Sequence, residues 1–141
     1  MSNNFNNGSR NFSYKSIRLT AHAKQRGHER LGITKEKDLQ KNAANSISSG
    51  FNLKVLYNIG RNKARAAYGI NGEIYDYLMK RFRLESNSER IYYYKGNVYI
   101  FTGNGGKVLK TIIEVNEEEA HKWSSAGKKQ VKRGMSNDRY W

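Results

Sequence analysis

Three short runs of β-branched and aromatic residues in the last third of the chain constrain the fold most. These runs are residues 90–94, 98–102 and 107–115, and turns containing Gly and Asn separate them at 95–97 and 104–106. Runs of this length with such short turns predict a three-stranded antiparallel meander. A sheet of this size must bury one face, so helices elsewhere in the chain are needed to cover it.

Two helices are predicted upstream of the meander. Thr20 is a candidate N-cap for a helix over 21–31, and Gly32 is a suitable residue to end it. Thr34 is a candidate N-cap for a second helix that ends at Gly50. The apolar stripe of this second helix, at a spacing of four residues, consists of Leu39, Ala43 and Ile47.

The middle of the chain gives a weaker pattern. Residues 51–57 alternate imperfectly and favour a strand, whereas 60–69 fits either a loop or a short helix. The apolar spacing over 73–84 is closer to helical, although its tyrosines also suit a strand. After the meander, Asn116 and Glu119 form the pattern of a capping box for a last helix.

These elements predict an α+β fold in which N-terminal helices pack on an antiparallel β-sheet meander, with a C-terminal helix. Residues 1–13 are rich in Asn, Ser and Gly and are interpreted as a flexible arm. Residues 14–127 are predicted to form a single α+β domain, and Gly127 is the expected stop of its last helix. Residues 128–141 form a basic tail.

The charge balance points to polyanionic partners. The chain has 26 Lys and Arg against 12 Asp and Glu, a formal net charge of +14. Such an excess attracts nucleic acid through electrostatic steering and counterion release. Cysteine is absent, and the first residues contain no apolar run that would serve as a signal peptide or membrane span. We therefore expect a cytoplasmic protein that has no membrane association and needs no cofactor.

The predicted first helix carries a cluster of chemically active side chains. His22, Arg26 and Arg30 are spaced four residues apart, so they fall on one stripe of the helix, and Glu29 falls there too. One interpretation is a solvated charged face in which Glu29 offsets the two arginines. The other is that both guanidiniums bind a phosphate next to His22. The residues alone leave both interpretations open.

Two stretches of the sequence resemble the barnase–EndoU–colicin–RelE-like superfamily of small toxin and prophage nucleases. The first stretch is Thr20-Ala21-His22-Ala23 followed by Arg26, Arg30, Gly32, Ile33 and Thr34. The second comprises residues 90–101 and 108–113. The resemblance covers about half of the chain. It implies that His22 transfers protons, that Arg26 and Arg30 contact phosphate, and that Thr111 is a polar group of the same cleft.

The activity implied by the resemblance is metal-independent cleavage of RNA. Such an enzyme uses the neighbouring 2′-hydroxyl as the nucleophile, so DNA would not be cleaved. Histidine suits the proton transfer, and fixed cations stabilise charge that develops on the phosphoryl oxygens. His28 and His121 occur in no metal-binding motif, and the glutamates at 117–119 are explained by the helix dipole. We expect no metal site.

Further basic and aromatic residues are candidates for contacts to nucleic acid. The basic candidates are Arg61, Lys63, Arg65, Lys80, Arg81, Arg83 and Lys107. An exposed tyrosine beside such cations can stack on an unpaired base. The tyrosine candidates in the meander are Tyr92, Tyr93, Tyr94 and Tyr99, and at least half of them should be core residues. Alternation places Tyr92 and Tyr94 on one face and Tyr93 on the other.

Two other functional classes fit the same sequence. Basic residues are spread along the whole chain, which favours a non-catalytic, phage-encoded protein that binds nucleic acid or a ribonucleoprotein and inhibits a host machine. A subunit of a larger assembly, with its arm and tail ordered only in the complex, is the third interpretation. RNA is the expected partner. DNA or a host nucleoprotein is the alternative, and a protein antitoxin or an inhibited target would be a further partner.

Overall fold

The computed structural model describes residues 13–82, 90–103 and 107–125, the last three by their backbone alone. These residues fall into two compact units. Within the described parts, unit 1 consists of 13–52, 90–103 and 107–113. Unit 2 consists of 53–82 and 114–125. The described chain therefore leaves unit 1 after residue 52, returns to it for the meander and enters unit 2 again at residue 114.

Helices and strands are mixed along the described chain, and the fold is α+β as predicted. The helices are α1 (Ala21–Leu31), α2 (Glu36–Ser49), α3 (Leu53–Ile59), α4 (Arg61–Tyr68), α5 (Gly72–Arg81) and α6 (Glu117–Ser125). The strands are β1 (Arg18–Leu19), β2 (Phe51–Asn52), β3 (Arg90–Tyr94), β4 (Asn97–Thr102) and β5 (Val108–Glu114). A single turn of 3₁₀-helix, Tyr14–Ser16, precedes β1.

The strands form one five-stranded sheet in the order β1-β5-β4-β3-β2. The three long strands are neighbours in chain order, as predicted for the meander, and β3 pairs antiparallel with β4. A two-residue strand lies at each edge of the sheet. β2 pairs antiparallel with β3, but β1 pairs parallel with β5. The sheet is therefore mixed and larger than the predicted antiparallel meander, because both edge strands are too short to give a sequence pattern.

The core of unit 1 lies between one face of the sheet and the first two helices. Its fully buried members are Ile17, Ala23, Leu39, Ala43, Tyr99, Phe101, Leu109 and Ile112. Tyr92 and Tyr94 pack against this cluster together, which confirms that they share a face. On the opposite face of the same strands, Ile91 is paired with Ile100, and both are buried. Apolar side chains therefore occur on both faces of the meander, because residues of both faces are buried.

Unit 2 is helical, and its first helix corrects the predicted strand over 51–57. Only Phe51 and Asn52 are extended, and α3 begins at Leu53. Leu53 and Leu56 are buried three residues apart, whereas Val55 and Tyr57 are exposed. That burial pattern follows the period of a helix, although the identities of the apolar residues alternate like those of a strand. The later segments of the middle are also helical, and α5 and α6 pack against each other.

Helix boundaries in unit 1 agree with the sequence except at the start of α2. Thr20 caps α1, where its Oγ1 accepts a hydrogen bond from the Ala23 N–H at 3.0 Å. Gly32 ends α1 in the left-handed conformation at φ 69°. The N-cap position of α2 is occupied by Lys35 without a side-chain capping bond, so the prediction for Thr34 is wrong. The predicted end at Gly50 is confirmed.

Several predictions lie outside the described residues. They concern the arm at residues 1–12, Arg83, the turn at 104–106, Gly127 and the tail at 128–141. The single domain over 14–127 stays a prediction. None of the described helices has both the length and the apolar character required to cross a bilayer.

Candidate catalytic group and nucleic-acid interface

Helix α1 displays its predicted cluster of active side chains on one stripe. The helix forms here because Thr20 caps its start and Gly32 supplies the left-handed end, both local signals. His22 and Arg30 are exposed, and Arg26 is half-buried, with 32 % of its side chain exposed. The structure thus brings the imidazole and both guanidiniums onto one accessible face of α1.

Arg26 donates hydrogen bonds to both His22 and Glu29 on this face. Its Nε is 3.4 Å from His22 Nε2, and its Nη1 is 2.7 Å from Glu29 Oε1. A donor directed at Nε2 requires that nitrogen to be unprotonated. This is the form in which an imidazole can accept a proton. The arrangement places an imidazole nitrogen and a guanidinium side by side.

Glu29 is a poor proton acceptor near neutral pH. The hydrogen bond from Gln25 Nε2, at 2.9 Å, and then the one from Arg26 Nη1 hold the pKa of the Glu29 carboxyl below its ordinary value of 4.5. A carboxylate that prefers its charged form does not readily take up a proton at pH 7. The hydrogen bonds to Glu29 therefore disfavour it as a proton-transfer residue of this face.

The end of α1 is tied to strand β5. Arg30 Nε donates to the Ile112 carbonyl at 3.2 Å, and Thr20 Oγ1 donates to the Lys110 carbonyl at 3.1 Å at the start of the helix. Thr111, between these two acceptors, is only 1 % exposed. Its side chain is enclosed, so it does not present a hydroxyl to the exposed face of α1. We leave Thr111 out of the proposed catalytic group.

The basic residues predicted for nucleic-acid binding divide into two kinds in unit 2. Arg61 and Arg81 are held within the unit. Arg61 Nε is 3.1 Å from Asp76 Oδ1, and the Arg81 guanidinium lies against the Tyr77 and Phe82 rings at 5.8 and 6.0 Å. Arg81 also lies 3.8 Å from a Glu119 carboxylate oxygen. Both guanidiniums are therefore engaged in contacts within unit 2.

The remaining basic candidates are more open to solvent. Lys63 and Arg65 project from α4 and are exposed, and Lys80 on α5 is half-buried. Lys107 is exposed in unit 1. Its carbonyl accepts a hydrogen bond from the Arg18 N–H at 2.9 Å, so these two basic residues lie side by side. The accessible candidates for phosphate contacts are therefore Lys63, Arg65 and Lys107, with Lys80 less accessible.

The tyrosines of the meander are poor stacking platforms. Tyr99 is 1 % exposed, and Tyr92, Tyr93 and Tyr94 are half-buried. Among the described residues, the exposed tyrosines are instead Tyr57, at 62 %, and Tyr68, at 48 %. Sequence reasoning missed both because it treated the middle of the chain as a weak strand or loop.

The remaining histidines are separate from the His22 cluster. His28 is exposed on α1, but six residues along the helix place it on a different face from His22. His121 Nδ1 lies 2.8 Å from Glu73 Oε2 within unit 2. In the part of the chain that the structure describes, no three His, Cys, Asp or Glu side chains form a group that could hold a metal ion.

The two units differ sharply in charge. The described residues of unit 1 contain twelve Lys and Arg against three Asp and Glu, an excess of nine. Those of unit 2 contain seven Lys and Arg against six Asp and Glu, an excess of one. Within the described residues, unit 1 thus provides most of the net attraction for a polyanion.

Comparison with known proteins gives no relative for this chain. No family model, curated protein or solved structure matches it. The resemblance to the small-nuclease superfamily stays a prediction.

Proposed function

We propose that this protein binds RNA and cleaves it as a metal-independent endoribonuclease of the toxin or prophage type. The observation that supports the proposal most directly is the exposed cluster on α1, in which Arg26 Nε lies 3.4 Å from His22 Nε2. A proton acceptor and two guanidiniums on one accessible helix face are the groups that this chemistry needs. The excess of positive charge in unit 1 supports RNA as the substrate.

In the proposed reaction the substrate supplies its own nucleophile. His22 Nε2 takes the proton of a ribose 2′-hydroxyl, and the 2′-oxygen forms a bond to phosphorus while the bond from phosphorus to the 5′-oxygen breaks. Arg26 and Arg30 stabilise the charge on the phosphoryl oxygens. The leaving 5′-oxygen takes a proton from water. The products carry a 2′,3′-cyclic phosphate and a 5′-hydroxyl.

The test is incubation of the purified protein with labelled RNA, and with DNA of the same sequence, in EDTA. We expect the wild-type protein to cleave only RNA and to leave cyclic-phosphate ends. His22→Ala should lower the cleavage rate by about a hundredfold or more, the usual contribution of a positioned acid–base group, while RNA affinity is retained. His28→Ala is the matched control, since it removes an exposed histidine from another face of the same helix.

Either of two results would contradict the ribonuclease proposal. Intact RNA with the wild-type protein would exclude the catalytic step. Equal loss of cleavage in His22→Ala and His28→Ala would show that His22 has no special role.

A second candidate function is non-catalytic binding of nucleic acid or of a ribonucleoprotein. The observation that favours it is the breadth of the positive charge, since the twelve basic residues in the described part of unit 1 extend well beyond α1. Under this function His22→Ala would change neither RNA integrity nor RNA affinity. Binding would weaken as salt is raised, and Lys63→Ala would weaken it further.

A further inference from the structure

Unit 2 exposes large apolar side chains on two successive helices. Val55 and Tyr57 on α3 are 48 % and 62 % exposed, and Tyr68 on α4 is 48 % exposed. Among the described residues these are the exposed large hydrophobic side chains. Aromatic side chains normally bury much of their area, so two open rings on adjacent helices mark a candidate contact surface.

Each exposed ring has a cation at the same spacing on its own helix. Lys54 precedes Tyr57 by three residues on α3, and Arg65 precedes Tyr68 by three residues on α4. Residues three apart on a helix are surface neighbours, with Cβ atoms about 5–6 Å apart. The same pair, a cation and an exposed tyrosine ring, thus occurs once on each helix. We call Lys54, Tyr57, Arg65 and Tyr68 the α3–α4 face.

The charged residues of α3 and α4 themselves are all basic. From residue 53 to residue 72 the chain contains four basic residues and no Asp or Glu. Among the described residues of unit 2, the acidic side chains lie farther along the chain, on α5, at the end of β5 and on α6. One of them, Asp76 of α5, pairs with Arg61 of α4 at 3.1 Å. A negatively charged partner therefore meets no acidic side chain from α3 or α4.

We propose that the α3–α4 face binds unpaired bases of RNA. The Tyr57 and Tyr68 rings stack on bases, while Lys54 and Arg65 contact the phosphates of the same strand. The pairing of a ring with a cation matches the repeat of a nucleotide, which presents a flat apolar base and an anionic phosphate. Bases in a duplex already stack on one another, so the face selects single-stranded segments. This inference rests on the proposed binding of RNA and adds the kind of RNA bound.

The experiment measures the affinity of the full chain for a short labelled 2′-O-methyl oligouridine by fluorescence anisotropy. This probe lacks the 2′-hydroxyl that the proposed cleavage needs, so binding is read without turnover. Tyr57→Ala and Tyr68→Ala should each weaken binding about fivefold or more, the fold-change expected for the loss of one stacked base. Tyr57→Phe and Tyr68→Phe keep the rings and should stay within about twofold of wild type.

Two controls separate stacking from charge and from general damage. Val55→Ala trims an exposed apolar side chain that has no ring, and it should bind like wild type. An abasic oligonucleotide of equal length keeps the phosphates and removes the bases. It should bind wild type and both alanine variants with the same, weaker affinity, and a hairpin duplex should be equally insensitive to the two substitutions.

The outcomes distinguish this inference from the function on which it rests. Wild-type binding that is unchanged in the tyrosine variants would overturn the stacking inference and leave RNA binding intact, and the exposed rings would then belong to a contact with another protein. Absence of salt-sensitive binding by the wild-type protein would overturn both. A loss in Tyr57→Phe and Tyr68→Phe equal to that in the alanine variants would place the effect in the hydroxyls and contradict stacking.

Discussion

At the scale of single residues, the clearest electrostatic perturbation lies in the core of unit 1. Burial raises the pKa of Tyr99 to about 12 from its ordinary value of 10.0, and the nearby Tyr94 adds to this shift. The Tyr99 hydroxyl donates a hydrogen bond to Asn42 Oδ1. The folded state therefore keeps the phenol proton at a pH where an unfolded chain has lost it.

Tyr99 should make the stability of the protein depend on alkaline pH. Because the folded pKa is the higher one, its contribution is complete below pH 10 and is lost as pH rises towards 12. Tyr99→Phe removes the bond to Asn42 and should lower the free energy of unfolding by about 1 kcal/mol at neutral pH. Denaturant titrations from neutral to alkaline pH should show a shallower decline in the variant. Parallel declines would contradict this assignment.

At the scale of elements, the start of a helix depends on which side chain reaches the free N–H groups. Both Thr20 and Thr34 have the sequence character of an N-cap. Thr20 accepts from the Ala23 N–H and also donates to a strand carbonyl, while α2 begins at Lys35 without a side-chain cap. One cap therefore ties a helix to the sheet, and the other threonine is an exposed loop residue.

Substitution of the two threonines should separate these roles. Thr20→Ala should lower the free energy of unfolding by about 1–2 kcal/mol, since α1 loses its cap and its bond to the Lys110 carbonyl. Thr34→Ala should change it by less than about 0.5 kcal/mol. Thr20→Ser keeps a capping hydroxyl and is the conservative control. The measurement is chemical denaturation, and equal effects of the two alanine substitutions would contradict the observed capping.

At the scale of the whole molecule, positive charge and exposed aromatic area lie in different units. The described part of unit 1 carries an excess of nine positive charges, whereas the exposed tyrosines are in unit 2. In unit 2 the acidic residues lie on or next to the last two helices, leaving α3 and α4 basic. Most of the electrostatic attraction to RNA is thus expected from unit 1, and base stacking with local phosphate contacts from unit 2.

Salt dependence should reveal where the electrostatic contacts are. Removing a cation that contacts phosphate reduces the slope of log affinity against log salt by about 0.7 for a single strand. The double variant Arg18→Ala/Lys107→Ala in unit 1 should therefore bind 2′-O-methyl RNA more weakly and lose about 1.4 from the slope. Lys80→Ala/Lys122→Ala removes the same charge from the helices that carry Glu73 and Glu119, and its slope should change less. Equal changes would contradict the concentration of contacts in unit 1.

The sequence by itself determined those features that depend on neighbouring residues. The limits of α1 follow from Thr20 and Gly32, and the start of α6 follows from Asn116, whose Oδ1 accepts from the Glu119 N–H at 2.6 Å. The stripe of His22, Arg26 and Arg30 follows from helical spacing alone. A cap, a left-handed glycine and a helical period are local, so the order of side chains is enough to specify them.

Only the tertiary structure decided the features that join distant parts of the chain. β1 pairs with β5 across about ninety residues, and this pairing makes the sheet mixed. The burial of Leu53 and Leu56 turns an apparent strand into α3 and leaves Tyr57 in solvent. Asp76 holds Arg61 in an ion pair from fifteen residues away, while Lys63 and Arg65 stay exposed. Exposure and pairing depend on what packs nearby, and residues remote in sequence supply those neighbours.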